Sequence, residues 1–127
     1  MRNSKLWVMA LCTVAVAALV APAGAAAAIK VKSTVTITTG EGAKFTGKVS
    51  SAKKKCRAAR TVKLFRKEDD GSGDELVRTA KTNKSGQWTM NGSFFAGEYY
   101  ARVIAILVHI NGMAYRCMGD FSLRQRY

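Results

Sequence analysis

The sequence has little of what most enzyme chemistry needs. It holds one histidine, His109, and one proline, Pro22. Its three cysteines, Cys12, Cys56 and Cys117, form no C-x-x-C pair, so a four-ligand zinc site would have to recruit carboxylates. Nucleophilic catalysis needs a base within hydrogen-bond reach of the nucleophile. The single imidazole instead sits in the apolar run Ile106-Leu107-Val108-His109-Ile110, next to Asn111-Gly112, where a half-exposed strand-end residue is expected. Acids are scarce too: 8 Asp and Glu stand against 21 Lys and Arg, a formal charge of +13. Five of the acids, Glu68, Asp69, Asp70, Asp74 and Glu75, share one stretch, whereas a glycosidase needs two carboxylates facing across a cleft. Asp70, Ser72 and Asp74 carry oxygen at alternate positions, as a calcium loop does. Position six is then Glu75 in place of Gly and position twelve Lys81 in place of Glu, which points to a solvated acidic turn. No amphipathic helical period occurs, and 127 residues suffice for one domain at most. Multidomain enzymes, polytopic membrane proteins and collagen-like fibres are excluded. The expectation is a protein without catalytic residues, metal or cofactor, with a small hydrolase the last of the readings.

The amino terminus carries the clearest signal. Arg2 and Lys5 precede an apolar stretch from Leu6 to Val20, and Ala21 to Ala28 is full of small-x-small sites. This predicts a signal peptide over residues 1–28, cleaved within 25–28. Met9-Ala10-Leu11-Cys12 lacks the small residue required before a lipidated cysteine, so Cys12 goes with the leader. A retained anchor is the alternative, because residues 6–29 are uncharged and long enough to span a bilayer, although Pro22 and Gly24 weaken a helix there. Cleavage leaves a secreted or cell-surface protein without a transmembrane segment. Two cysteines remain, and in an oxidising compartment they allow one pairing, Cys56 with Cys117.

Beyond residue 28 the hydrophobic period is two. Ile29, Val31, Val35 and Ile37 alternate with Lys and Thr; Phe45, Gly47 and Val49 alternate with Lys44, Thr46 and Lys48. Further strands are predicted at Thr61–Phe65, Leu76–Thr82, around Trp88 and Met90, over Tyr99–Ile110, and from Met113 to Cys117 or Phe121. Asn111-Gly112 suits a two-residue type I′ hairpin, which needs positive φ at both central residues. Seven short strands with glycine-marked turns predict an all-β fold, a single antiparallel seven-stranded β-sandwich over residues 29–127. Trp88 and Tyr99 belong to its core by alternation. In the stretch Val103–Val108 both parities are apolar. A strand of that kind needs cover, from Phe121 and Leu123, from the amino-terminal segment, or from a second copy or a membrane-proximal surface. A monomer with internal cover is the simpler default.

Three short motifs resemble a known family. Thr82-Asn83-Lys84-Ser85-Gly86-Gln87-Trp88 resembles the T-[DN]-x-x-G-x-[aromatic] hairpin of carboxypeptidase-regulatory-like and transthyretin-like domains. Gly97-Glu98-Tyr99-Tyr100-Ala101-Arg102-Val103 is similar to their G-x-Y-x-[AV] strand, and Phe45-Thr46-Gly47-Lys48-Val49 to their opening G-x-V strand. The best likeness is to small secreted actinobacterial proteins with a basic cysteine loop. The resemblance implies a prealbumin- or immunoglobulin-like sandwich used as a stalk, docking module or surface-binding domain. It brings no catalysis: the hydrolytic transthyretin relatives end in Tyr-Arg-Gly-Ser and use several histidines, while this chain ends Arg124-Gln125-Arg126-Tyr127. Lys53 to Arg60 occupies the place of the family's Pro- and Gly-marked crossover.

Charge is segregated along the chain. Residues 53–67 hold Lys53, Lys54, Lys55, Arg57, Arg60, Lys63, Arg66 and Lys67 and no acid, and the acidic turn follows at once. A bond between Cys56 and Cys117 would hold this loop against the last strand, where Arg116, Arg124 and Arg126 could join it. Such a patch attracts polyanions: teichoic-acid-like wall polymers, acidic polysaccharide, anionic lipid or released DNA. Nucleic acid is disfavoured, since only Phe65 is interleaved with these bases. A charge that only solubilises an exported protein is the competing reading, as is a structural protein that assembles through strands or sheet faces.

Overall fold

The computed structural model describes residues 27–127. The expected leader, with its apolar stretch and Cys12, therefore lies outside the described residues. Within them the chain is all-β. Its strands are β1 (Ile29–Val31), β2 (Ser33–Val35), β3 (Thr38–Gly40), β4 (Lys44–Ser51), β5 (Thr61–Arg66), β6 (Glu75–Lys81), β7 (Gln87–Asn91), β8 (Glu98–Val103), β9 (Ile106–Ile110), β10 (Met113–Cys117), β11 (Asp120–Phe121) and β12 (Gln125–Arg126). One 3-10 turn, Lys54–Cys56, follows β4. No helix among the described residues is long and apolar enough to cross a membrane.

The strands form three sheets. In the first, β4 is central, with β7 along one edge and β2 and β3 along the other in a single continuous register. In the second the order is β11–β8–β5–β6, and β12 continues the β11 edge along β8 after a one-residue slip. Alternation along these strands turns one set of side chains inward. Val35, Ile37, Phe45, Val49, Trp88 and Met90 from the first sheet meet Val62, Leu64, Tyr99, Ala101 and Val103 from the second in one buried cluster. Gly47 faces Trp88 across the β4–β7 ladder, and a Cβ there would lie 2.5 Å from the indole ring and closer still to the Thr36 carbonyl. The glycine thus makes the space that the indole fills. Trp88 and Tyr99 are core residues, as their alternation predicts.

The run Tyr99–Ile110 departs from the expected single strand. It breaks at Ile104-Ala105 into β8 and β9, which belong to different sheets. The third sheet, β1–β10–β9, pairs β1 in parallel with β10 and joins β9 to β10 by a hairpin. Asn111 (φ +50°) and Gly112 (φ +80°) make its turn, as the dipeptide predicts. The break reverses parity: Tyr99, Ala101 and Val103 are buried, whereas Leu107 is 56% exposed and Ile106, Val108 and Ile110 are half-buried. Phe121 and Leu123 provide no cover, being 60% and 89% exposed. The amino-terminal segment does take part, through β1 at the edge of this sheet.

Candidate polyanion-binding surface

The disulfide joins Cys56 to Cys117, both fully buried, and so fastens the turn after β4 to the end of β10. Thr82 fixes the same turn from the other side. Its Oγ1 accepts a hydrogen bond from the Arg60 amide (2.8 Å) and donates one to the Arg57 carbonyl (2.6 Å). Its own amide donates to the Arg60 carbonyl (2.9 Å) and its carbonyl accepts from the Ala59 amide (3.2 Å). The T-N-x-x-G hairpin is thereby explained. Thr82 holds the basic turn, Asn83 Oδ1 accepts from the Ser85 and Gln87 amides (2.9 Å each), and Gly86, at φ +86°, lies where a Cβ would strike the Val49 carbonyl.

On this frame Lys53, Lys54 and Lys55 are exposed and Arg57 is half-buried. Lys55 Nζ donates to the His109 carbonyl (2.8 Å), and Lys53 Nζ sits 5.2 Å from the centroid of the Tyr115 ring. Two of the three ammonium groups are thus positioned against β9 and β10. Lys84 stands in the neighbouring turn, which approaches Arg57 so closely that a Cβ on Gly86 would be 3.3 Å from Arg57 Cβ. Lys32 lies beside the end of β4, where Ser51 Oγ donates to its carbonyl (3.0 Å). These two bases are distant from residues 53–57 in sequence, so the run of charge did not reveal them.

The other bases of the stretch 53–67 separate. Arg60 is not a surface residue at all: it is fully buried. Its Nη1 donates to Ser33 Oγ (2.9 Å) and the Cys56 carbonyl (2.6 Å), and its Nη2 to the carbonyls of Ile104 (2.9 Å) and Met118 (3.0 Å). Burial lowers its pKa from the ordinary arginine value. Its fork satisfies carbonyls at the places where the chain leaves β8, leaves β10 and turns after β4, which a loop-borne surface arginine would not do. Lys63 lies on the outer face of the second sheet, opposite Arg102 in register. Arg66 ends β5 at the far side of the molecule, and Lys67 follows it. There Arg66 bridges Glu68 (2.9 Å) and Glu75 (2.6 Å), and the Glu68 hydrogen bond raises its pKa. Arg124 and Arg126 approach Glu98 at the same far end (3.8 and 3.5 Å), and do not join the turn. Arg116 alternates with Tyr115 and Cys117, so it points away from the turn that the disulfide holds.

The acids are consequently sorted along the strand direction. No Asp or Glu occurs in the turns 52–60 and 82–86 or in β1, β9 and β10. Glu68, Asp69, Asp70, Asp74, Glu75 and Glu98 gather instead at the opposite end, with Glu41 in the β3–β4 turn, while the Asp120 carboxylate accepts the Val35 amide (3.1 Å). The acidic turn binds itself. Asp70 accepts hydrogen bonds from the Ser72 amide and hydroxyl, which lower its pKa, and Asp74 accepts one from the Tyr100 hydroxyl. Compared with protein families, curated proteins and solved structures, the chain matches none of them.

Proposed function

We propose that the protein is an exported, non-enzymatic β-sandwich module that binds anionic polymers of the cell wall or extracellular space through its basic turn. The observation that carries this reading is the rigid display of Lys53, Lys54, Lys55 and Arg57, held by a buried disulfide at an end of the molecule whose turns hold no acid. Charge fixed on a constrained backbone costs less ordering entropy on binding than charge on a free tail. The finer description of the fold belongs to the same reading. The facing first and second sheets support the sandwich reading, while the third sheet, β1–β10–β9, with its parallel β1–β10 pair, departs from a single antiparallel seven-stranded count. The leader-like amino terminus and the carboxypeptidase-regulatory-like motifs agree with a secreted surface module. The ligand class is teichoic-acid-like polymer or acidic polysaccharide.

Binding should weaken steeply with added salt, because each neutralised charge releases counterions. Replacing Lys53, Lys54, Lys55 and Arg57 by Ser should remove most of the affinity for teichoic acid or heparin with the fold retained. Failure of the parent protein to bind heparin, teichoic acid or DNA at low ionic strength would leave the charge as solubilising only.

A second reading, self-assembly, draws on β9, which among the described residues pairs with β10 alone and whose Ile106–Ile110 sequence holds no Lys, Arg, Asp or Glu. An uncharged free edge is a template for strand pairing. Light scattering at micromolar concentration separates the two, since assembly requires a species larger than the monomer.

A further inference from the structure

The outer face of the second sheet carries a row of apolar and aromatic side chains that crosses its strands. Leu76 of β6 is in register with Phe65 of β5, and Phe65 with Tyr100 of β8. Phe65 and Tyr100 stack with ring centroids 5.4 Å apart, and Phe121 of β11 follows 6.1 Å from Tyr100. Leu76 is 48% exposed and Phe121 60%. Four strands at the usual spacing make this row about 14 Å long. It is far from an ordinary scatter of surface hydrophobics, because its neighbours are ordered too. Lys63 and Arg102, paired across β5 and β8, form a parallel cationic row, and the Arg102 guanidinium lies 5.2 Å from the Phe121 centroid. At the Phe121 end there is a shallow pocket of about 330 Å³ lined by Asp74, Tyr100, Phe121, Ser122 and Arg124. Two aromatic rings, one carboxylate and one guanidinium therefore line a space at the small end of ligand-pocket sizes.

We propose that this face binds a linear acidic glycan, with a uronic-acid unit seated in the pocket between Tyr100 and Phe121. Each feature of such a sugar has a counterpart. The apolar face of the pyranose ring lies on the aromatic rings, its carboxylate meets Arg124, and its hydroxyls donate to Asp74. Arg102 and Lys63 meet the carboxylates of the units that follow along the row. A single-stranded DNA would use the same rings and bases, but its deoxyribose-phosphate backbone has no free hydroxyl to donate to Asp74, whereas each unit of a glycan does. The hydroxyl-rich polymer fits that acid. The site is separate from the basic turn and does not rest on it.

Calorimetric titration with polygalacturonate, neutral dextran and oligothymidylate tests the proposal, in a parent protein whose Lys53, Lys54, Lys55 and Arg57 are replaced by Ser so that the basic turn does not contribute. The parent protein should bind polygalacturonate in preference to both others. Phe121→Ser should weaken that binding by about tenfold, the size of one lost aromatic contact with its buried area. Arg124→Gln should reduce the preference for the acidic over the neutral polymer, and Asp74→Asn should shift it towards oligothymidylate. Unchanged thermal midpoints in Phe121→Ser and Arg124→Gln, both exposed positions, would show that the fold is intact. Equal affinity of Phe121→Ser and parent overturns the proposal, as does a parent that binds none of the three or prefers oligothymidylate. Because the basic turn is removed in every protein titrated, failure of this face and failure of the turn are read separately.

Discussion

Arg60 offers the sharpest test, because its sequence context and its position in the fold assign it opposite roles. Arg60→Met keeps much of the side-chain volume and removes four hydrogen bonds, three of them to the carbonyls of Cys56, Ile104 and Met118. A carbonyl left buried without its donor costs about 1–3 kcal/mol, so three at the lower bound cost about 3 kcal/mol. The guanidinium's own burial penalty is relieved in the variant, which is why the lower bound is the right one to use. A domain of this size has about 5–15 kcal/mol in all, and about 3 kcal/mol lowers its thermal midpoint by about 12 °C or more. Arg60→Lys keeps the charge without the planar fork and should recover only part of the loss. Urea titration gives the stability, and amide exchange in β9 and β10 reports whether the third sheet loosens first. Affinity for heparin per folded molecule should not change. A variant within about 0.5 kcal/mol of the parent, the range of an ordinary surface substitution, would refute the structural role. So would a loss of heparin affinity at unchanged stability, which would return Arg60 to the binding surface.

Three further outcomes are expected. Cys56→Ala with Cys117→Ala opens a closure between residues 61 apart, which the loop-entropy relation values at about 4 kcal/mol, and chemical denaturation should show a loss approaching that figure. Gly47→Ala should cost about 1–3 kcal/mol or more by overpacking against Trp88 and the Thr36 carbonyl, with a red shift in Trp88 emission if the indole is displaced. The Tyr100–Asp74 hydrogen bond makes stability depend on pH at both ends. The Tyr100 hydroxyl holds Asp74 below the ordinary carboxylate range, so this contribution is present above about pH 4 and disappears as pH falls through the lowered folded value. Tyr100 is pushed up to about 12, by burial first and by Asp74 second, so its contribution is present below the ordinary tyrosine value of about 10 and is lost as pH rises towards 12. Tyr100→Phe should flatten both limbs of the unfolding midpoint against pH.

The local features of the fold were legible in the sequence because they depend on near neighbours. Period-two alternation grouped Phe45 with Val49 on one face and placed Trp88 and Tyr99 in the core, and all four are buried. Asn111-Gly112 specified its turn through backbone φ alone. Two cysteines beyond residue 28 left one partner each, and that pair is bonded. The break at Ile104-Ala105 was not legible. Apolar residues at both parities suit a strand buried on two faces as well as two strands that exchange faces, and only the Arg60 hydrogen bond to the Ile104 carbonyl and the pairing of β9 with β10 separate these cases.

The sequence by itself determined the all-β character, the covalent link and the excess of positive charge, since each follows from residue type and spacing. Which charges stand together was decided by the tertiary structure. The strands run the length of the molecule, so bases adjacent in sequence along β5 are carried to opposite ends, and Lys84 and Lys32 are returned to the turn that holds Lys53. The same crossing of strands brought Phe65, Tyr100 and Phe121, far apart in the chain, onto one face. Electrostatics and stacking act through space, and a sheet brings together in space residues that the chain keeps apart.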